Sequence, residues 1–390
     1  MKYLTILFII SFNFSLLTGQ TFQDLSFGTD TTLEVMTWNI ERFPKNSDVT
    51  INYVKEIIDA LNIDIIGLQE INSKIAFSNL LFELDNYEGY IGTGTNSGLA
   101  FVYNPEVISV NSIYEIYTST EYWRPFPRPP VVLDINYFDE RIIIINNHLK
   151  CCGDEVLDTT DVDDEETRRY HAINLLKQYT DMHFSDAKTI VIGDLNDNLR
   201  DEAAHNVFRH YLQDTSNYYF TDYHVELESP SGWSYPTWPS HLDHILISDE
   251  LFDAFRLAES TLQVFQIEDL MIGGWKTYDE NISDHRPVAA KFYFNIPGSS
   301  SEQIKADLSL NYFPNPFSNQ INISVSAENH YSKIEIFDIN AQRVFSSDIT
   351  ATDKSLVWDA NQLPDGFYFI KVTTNQYSSL KLLPVLKIRK

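Results

Sequence analysis

The stretch TIVIGDLNDN, residues 189–198, decides the reading of this chain. Its first four residues are β-branched or aliphatic, which predicts a short strand buried on both faces. A glycine follows, then a carboxylate at Asp194 and an amide at Asn196. A strand rising out of a buried sheet fixes its last side chain rigidly at the sheet's rim, where α/β proteins commonly build their sites. The same pattern recurs along the chain. Asn39 follows VMTW, Glu70 follows IIGLQ, and His148 follows IIINN. On the entering side, Asp243 precedes HILI, and Asp284 and His285 precede RPV. Singly, each of these reads as turn punctuation, because Asp, Asn and His are common turn formers. The argument rests on the set.

Strands are predicted over 33–38, 63–68, 99–103, 131–135, 141–146, 189–192, 242–247 and 288–294. Helical spacing of Ile51, Val54, Ile58 and Leu61 predicts a helix over 50–61 with Asp48 as N-cap, and 167–182 and 201–212 read similarly. Strands interleaved with helices predict an α/β layered fold. After Phe294 the polar, turn-forming IPGSSSEQ (296–303) marks a break, and short alternating strands without a helix follow. The expected division is a signal peptide at 1–20, a catalytic domain at 21–297, a linker at 298–307 and a small all-β sandwich at 308–390.

Composition bounds the function. A hydrophobic content of 43% supplies a packed core, and a formal charge of −27 repels polyanions at long range. That argues against a tight, non-specific nucleic-acid binder, but not against an enzyme that recruits cations to hold phosphate. Lys2, a mostly apolar run over 4–17 and small residues at Thr18 and Gly19 read as a secretory signal. The run is too short to span a membrane comfortably, and no later segment is apolar enough. The only cysteines, Cys151 and Cys152, are adjacent, which offers no zinc spacing. A vicinal disulfide and two loop thiols both remain open.

Taken in order, MTWNIERF, DIIGLQEI, NNHLK, VIGDLNDN, HLDHILIS and SDHRPV resemble the endonuclease/exonuclease/phosphatase (DNase I-like) superfamily over residues 31 to 295. The resemblance implies a four-layer α/β sandwich, with two mixed sheets face to face and flanked by helices. It implies that Glu70 is the principal metal ligand, with Asn39 and Asp284 completing or supporting the shell. Such oxygen donors suit Mg²⁺ first, and also Mn²⁺ or Ca²⁺. Asp194 would orient or deprotonate the attacking water, and Asn196 would donate to a phosphate oxygen. His285, held by Asp243, would contact the phosphate, and His148 would be a second donor or the leaving-group acid. Arg128, in FPRPPVVLDI (126–135), matches an arginine that reaches phosphate.

Two features depart from the DNA-cutting pattern. Asn72 stands where such relatives often carry Arg or Lys. The loop KCCGDEVLDTTDVDDEE (150–166) is acidic and disfavours a long polyanion beside it. It lacks the Asp-x-Asp-x-Asp-Gly order of an EF-hand and reads as a solvated acidic loop. Aromatics crowd two loops, Tyr122, Trp123 and Phe126, then Trp233, Tyr235 and Trp238. Trp233 and Trp238 are candidates to grip substrate.

The segments NYFPNPFSNQINISV (311–325), IEIFDINAQRVF (334–345), LPDGFYFIKV (363–372) and KIRK (387–390) resemble the sorting domain of the type IX secretion system of Bacteroidota. The secretion machinery is then a partner, and the destination is the medium or the cell surface. The combined expectation is a monomeric, extracellular, metal-dependent phosphodiesterase, in the first place a nuclease acting on DNA or RNA. The alternatives are a phosphomonoesterase, a phospholipid or sphingomyelin-type phosphodiesterase, and an inactive surface-binding module.

Overall fold

The computed structural model describes residues 22, 25–94, 98–256, 262–294, 309–314, 317–326, 332–338, 343–349, 355–364, 366–374 and 381–387. The expected signal (1–20) and linker (298–307) lie outside the described residues. In chain order the first part runs β1 (Thr32–Phe43), α1 (Ser47–Leu61), β2 (Ile65–Ile71), α2 (Lys74–Glu83), β3 (Glu88–Ile91), β4 (Ala100–Tyr103), β5 (Ser109–Glu115), β6 (Val131–Tyr137) and β7 (Glu140–His148). It continues α3 (Glu165–His183), β8 (Lys188–Asp194), α4 (Arg209–Gln213), β9 (Tyr218–Phe220), β10 (Asp243–Ser248), α5 (Phe252–Arg256), β11 (Leu262–Val264), α6 (Gly274–Asn281) and β12 (Val288–Tyr293).

Two six-stranded sheets result, in the orders β11-β12-β1-β2-β4-β3 and β5-β6-β7-β8-β10-β9. Each is antiparallel except at one place, the parallel pairs β1–β2 and β7–β8. Those pairs are joined through α1 and α3, the long crossovers that parallel neighbours require. Val35, Ile65 and Phe101 of one sheet meet Leu133, Ile144, Ile192 and Ile245 of the other in a shared apolar layer. Ile51, Val54, Ile58 and Leu61 of α1 and Phe77 and Leu80 of α2 cover the outer face of the first sheet. Ala172, Ile173 and Leu176 of α3 and Tyr211 of α4 cover the second. This is the expected four-layer sandwich of two mixed sheets flanked by helices. Each fully buried aliphatic side chain contributes about 1.5–3 kcal/mol toward holding the layers together.

All eight expected strands are present. The four that sequence did not anticipate, β3, β5, β9 and β11, are the edge strands of the two sheets, with weak apolar alternation. The 201–212 helix is corrected to Arg209–Gln213. Asn206 explains the loss: its amide donates to Leu199 O at 2.8 Å and its oxygen accepts Phe208 N–H at 2.8 Å. Those bonds offer the backbone an alternative to a helix. Helix α1 starts earlier than expected, with Asn46 rather than Asp48 at the N-cap; Asp48 lies in the first turn.

The tail forms β13 (Ser309–Phe313), β14 (Gln320–Ser326), β15 (Ser332–Asp338), β16 (Arg343–Ile349), β17 (Ser355–Asp359), β18 (Gly366–Thr374) and β19 (Lys381–Lys387). They make two antiparallel sheets, β13-β14-β17 and β16-β15-β18-β19. Ile321, Ile323 and Trp358 pack against Ile334, Ile336, Tyr368 and Ile370, a small all-β sandwich as expected. Among the described residues no helix is long and apolar enough to cross a membrane.

Candidate active site

The two parallel pairs deliver their C-terminal ends to the same rim. In β1 and β2 Asn39 pairs with Gln69, which puts Glu70 one step beyond. In β7 and β8 His148 pairs with Asp194, and β10 sets Asp243 opposite Asp194 from the other side. The register of β1 against β2 slips between Asn39 and Phe43, and Glu41 and Arg42 take positive φ there. Glu70 (φ 63°) and Asn196 (φ 58°) are also left-handed, an unusual backbone for these residues that clusters at sites. Gly193, within β8 just before Asp194, has φ +148°; a Cβ there would stand 2.0 Å from Asn147 O.

A buried polar bridge ties the sheets together beneath the rim. Gln69 Nε2 donates to Asn146 Oδ1 at 2.8 Å, and Asn146 Nδ2 donates to Ala100 O at 2.9 Å and Leu68 O at 3.1 Å. Gly67 lets the sheets approach this closely, since a Cβ would lie 2.4 Å from Ile192 Cδ1.

Asp194 is the hub. Its Oδ2 accepts Asn39 Nδ2 at 2.9 Å and lies 3.5 Å from His148 Nε2 and 3.8 Å from His285 Nε2. Its Oδ1 accepts Asn196 N–H at 3.1 Å. Burial is the main force on this carboxyl and pushes its pKa to about 7, against the relief given by His285. His285 behaves oppositely. Burial disfavours its charge, but Asp243, whose Oδ2 lies 2.7 Å from Nδ1, and Asp194 outweigh burial and raise its pKa to about 10. His148 is held well below the ordinary value by burial, then by Arg128 and His285. The site therefore pairs a charged imidazolium with a neutral imidazole.

Asn39 places its Nδ2 between two carboxylates, since it also approaches Glu70 Oε1 at 3.5 Å, while its oxygen accepts Glu41 N–H at 3.0 Å. Arg42 N–H donates to Glu70 Oε2 at 3.0 Å. Asn39 therefore reaches both carboxylates through its amide, with its oxygen turned to the Glu41 backbone. Asp284 is half-buried, with Oδ1 3.9 Å from His285 Nε2, and burial raises its pKa to about 6. The half-exposed Glu70 carboxylate, with Asp284, offers the hard oxygen donors that a divalent cation takes. Asp194, Asp243 and His285 also present ligand atoms within 4.8 Å of one another. A cation there would have to displace the His285–Asp243 bond, so the Glu70 side fits better.

Sequence reasoning missed several residues that hold this arrangement. Ser283 Oγ donates to Asn39 O at 2.6 Å and accepts His285 N–H at 2.9 Å. Tyr278 donates to His285 O at 2.6 Å. The ring of Tyr235 lies 4.8 Å from that of His285, so Tyr235 is the aromatic of its loop that meets the catalytic rim. Trp233 is half-buried and donates its indole N–H to Val225 O at 3.0 Å, whereas Trp238 is 78% exposed. A second buried cluster lies behind Asp243. Asp222 Oδ2 is 3.0 Å from His241 Nε2 and 2.5 Å from His244 Nδ1, while His244 Nε2 lies 2.8 Å from Asp197 O. With an acceptor at both nitrogens, His244 carries two protons.

Beside Glu70 a groove of about 750 Å³ opens, lined by Arg42, Asn72, Lys74, Trp123, Arg128, Lys150, Cys151 and Arg168 among others. Among the described residues Glu70 is the only acidic one that lines it. Arg168 lies 5.3 Å from the Trp123 ring centre, a cation–π contact. The positive charge absent at Asn72 is supplied by Lys74 two residues on and by cations brought from four other segments. Of the acidic loop, only Lys150 and Cys151 reach the groove; Glu165 turns to Lys150 at 3.5 Å, and Asp163 to Arg124 at 2.8 Å. The expected repulsion of a polyanion by this loop is therefore not built into the groove wall.

The endonuclease/exonuclease/phosphatase family model matches residues 36–285. The chain belongs to that family. Its members are phosphoric ester hydrolases and generally use divalent metals. A secretion system C-terminal sorting domain matches residues 311–385, which marks the tail as a type IX sorting domain and the protein as secreted or surface-held. No curated protein matches the chain. Among solved structures, D. rerio TDP2 complexed with a single strand DNA product is similar at 13% identity and TM-score 0.51, covering 68% of this chain and 100% of its own. The human Nocturnin catalytic domain with bound sulfate is 17% identical, with TM-score 0.48 and coverage of 67% and 94%. A Bacteroides vulgatus family member is 14% identical, with TM-score 0.47 and coverage of 68% and 99%. These likenesses concern the fold.

Proposed function

We propose that the protein is an exported, Mg²⁺-dependent phosphodiesterase that cleaves nucleic acid, DNA or RNA, by in-line attack of water. The observation that carries the substrate class is the groove beside Glu70, whose described lining holds five cationic side chains and a single carboxylate in a chain of net charge −27. Electrostatic recruitment of a polyanion needs such a local reversal of sign. The exposed Trp123 ring, flanked by Arg168, adds a surface on which a base can stack. In this reading residues 1–20 direct export, 21–297 carry catalysis and 308–390 carry sorting.

The divalent cation, held by Glu70 with Asp284, supplies positive charge against a phosphoryl oxygen when bound. The chain's own residues do the rest. Asp194, with a pKa near the working pH, accepts the proton of the attacking water. The His285 imidazolium, oriented by Asp243, donates to a phosphate oxygen on which charge builds. His148, neutral, and Asn196 act as further donors, and the Arg128 fork takes a phosphate oxygen at the groove; as its bond to phosphorus breaks, the leaving oxygen takes a proton from solvent. Tyr235 shields His285 from water.

The test is hydrolysis, with Mg²⁺, of a panel of single- and double-stranded DNA and RNA oligonucleotides, mononucleotides and sphingomyelin vesicles. Cleavage of an oligonucleotide with no turnover of the vesicle is expected. Cleavage of mononucleotides or lipid with no cut oligonucleotide would remove the nuclease reading and leave the phosphoesterase.

A further inference from the structure

The acidic loop after β7 carries a feature that phosphoester cleavage does not use. Asp154, Asp164 and Glu166 each offer an oxygen, and these oxygens lie within 4.8 Å of one another. Glu166 is 2% exposed, and its Oε2 has no hydrogen-bond partner among the described residues. A buried, unpartnered carboxylate oxygen is costly unless something satisfies it. Its one neighbouring cation is already divided. Arg169 gives Nη2 to Glu166 Oε1 at 3.1 Å, Nε to Asp197 Oδ2 at 2.8 Å, and Nη1 to Lys150 O at 2.8 Å and Cys152 O at 2.6 Å. Three carboxylates thus converge, and among the described residues no cation pairs with Glu166 Oε2. The backbone wraps this point closely: Glu155 N–H donates to Glu166 Oε1 at 2.9 Å, and a Cβ on Gly153 would fall 2.0 Å from the same oxygen.

We propose that Asp154, Asp164 and Glu166 form a calcium site that fastens the 150–166 loop to the N-terminus of α3. The donors are all hard oxygens. Ca²⁺ takes six to eight such oxygens in a flexible geometry, whereas Mg²⁺ demands near-ideal octahedral placement, which three carboxylates drawn from a loop and a helix end do not impose. Asp154 is exposed, so water has access to fill the remaining coordination positions. The site is not an EF-hand: one ligand comes from the loop, one from the α3 N-cap and one from the first turn of α3. Its consequence lies in the groove. The same loop begins with Lys150 and Cys151 on the groove wall, so the cation fixes that wall relative to α3, whose Arg168 also lines it.

Calorimetric titration of CaCl₂ into the EDTA-treated, dialysed protein tests this, in a Glu70→Gln background that removes the carboxylate proposed to hold the catalytic cation. One Ca²⁺ per chain is expected, half-saturating between about 10⁻⁴ and 10⁻³ M, with a higher melting temperature in Ca²⁺ than in equal Mg²⁺. Asp154→Asn, a change at an exposed side chain, is expected to weaken this binding about tenfold while the melting temperature without calcium stays unchanged. Glu166→Gln should weaken it as well. Absence of Ca²⁺ binding, equal binding of Mg²⁺, or affinity untouched by Asp154→Asn would each overturn the site. The catalytic reading stands or falls separately, since every readout here is binding rather than turnover.

Discussion

Five cations line the groove beside Glu70: Arg42, Lys74, Arg128, Lys150 and Arg168. If each neutralises one phosphate of a single strand, log K should fall with log salt at a slope of about −3.5, from the usual −0.7 per contact. Between 50 and 200 mM salt that is a loss of about 100-fold in affinity. Arg42 and Lys74 are exposed, and neither is ion-paired among the described residues, so replacing both with alanine should leave the fold intact. The Arg42→Ala/Lys74→Ala protein should show a slope of about −2.1 and lose only about 20-fold over the same range. The assay is fluorescence anisotropy of a labelled oligonucleotide, with Asp194→Asn in both proteins to prevent turnover. An unchanged slope would refute the assignment of the groove to a polyanion, whatever the absolute affinity.

Two further outcomes follow from the interior. Burial opposes the charge on His244, but Asp222, then Glu226, raise its pKa to about 9, so it stabilises the fold in full below pH 6.5 and loses that contribution as pH rises through 9. The ceiling is about 3 kcal/mol; urea unfolding between pH 6.5 and 9.5 should show the decline, and Asp222→Asn, less stable throughout, should flatten it. Equal slopes in the two proteins would contradict the assignment. Gly67→Ala forces a methyl toward Ile192 Cδ1, 2.4 Å from the ideal Cβ position, and should cost about 1–3 kcal/mol in the same assay; a neutral effect would mean that the sheets are free to separate.

The eight central strands and the rim residues were legible because both follow from local pattern. An apolar run that ends in Asn39, Glu70, His148 or Asp194 announces a strand and its terminal side chain together. What was not legible is what depends on distant segments meeting. Arg42, Lys74, Lys150 and Arg168 share a groove only because β1, α2, the loop after β7 and α3 converge there, and no spacing along the chain encodes that. Asn72 therefore read as a lost contact, although the groove is cationic without it. Tyr235 shared its loop with two tryptophans of greater aromatic surface, and only the fold shows which ring reaches His285. The 201–212 helix failed because one side chain, Asn206, redirects the backbone through bonds that apolar periodicity does not reveal.

The central claim is metal-dependent phosphodiester hydrolysis at the Asp194–His285 rim. The most direct measurement is the initial rate on bis(p-nitrophenyl) phosphate for the wild-type protein and for Asp194→Ala combined with His285→Ala, each with Mg²⁺ and with EDTA. The account predicts turnover by the wild type in Mg²⁺, its loss in EDTA, and a fall of about 10²–10⁴-fold in the double variant. Equal rates in the two proteins, or a rate that EDTA leaves untouched, would contradict it.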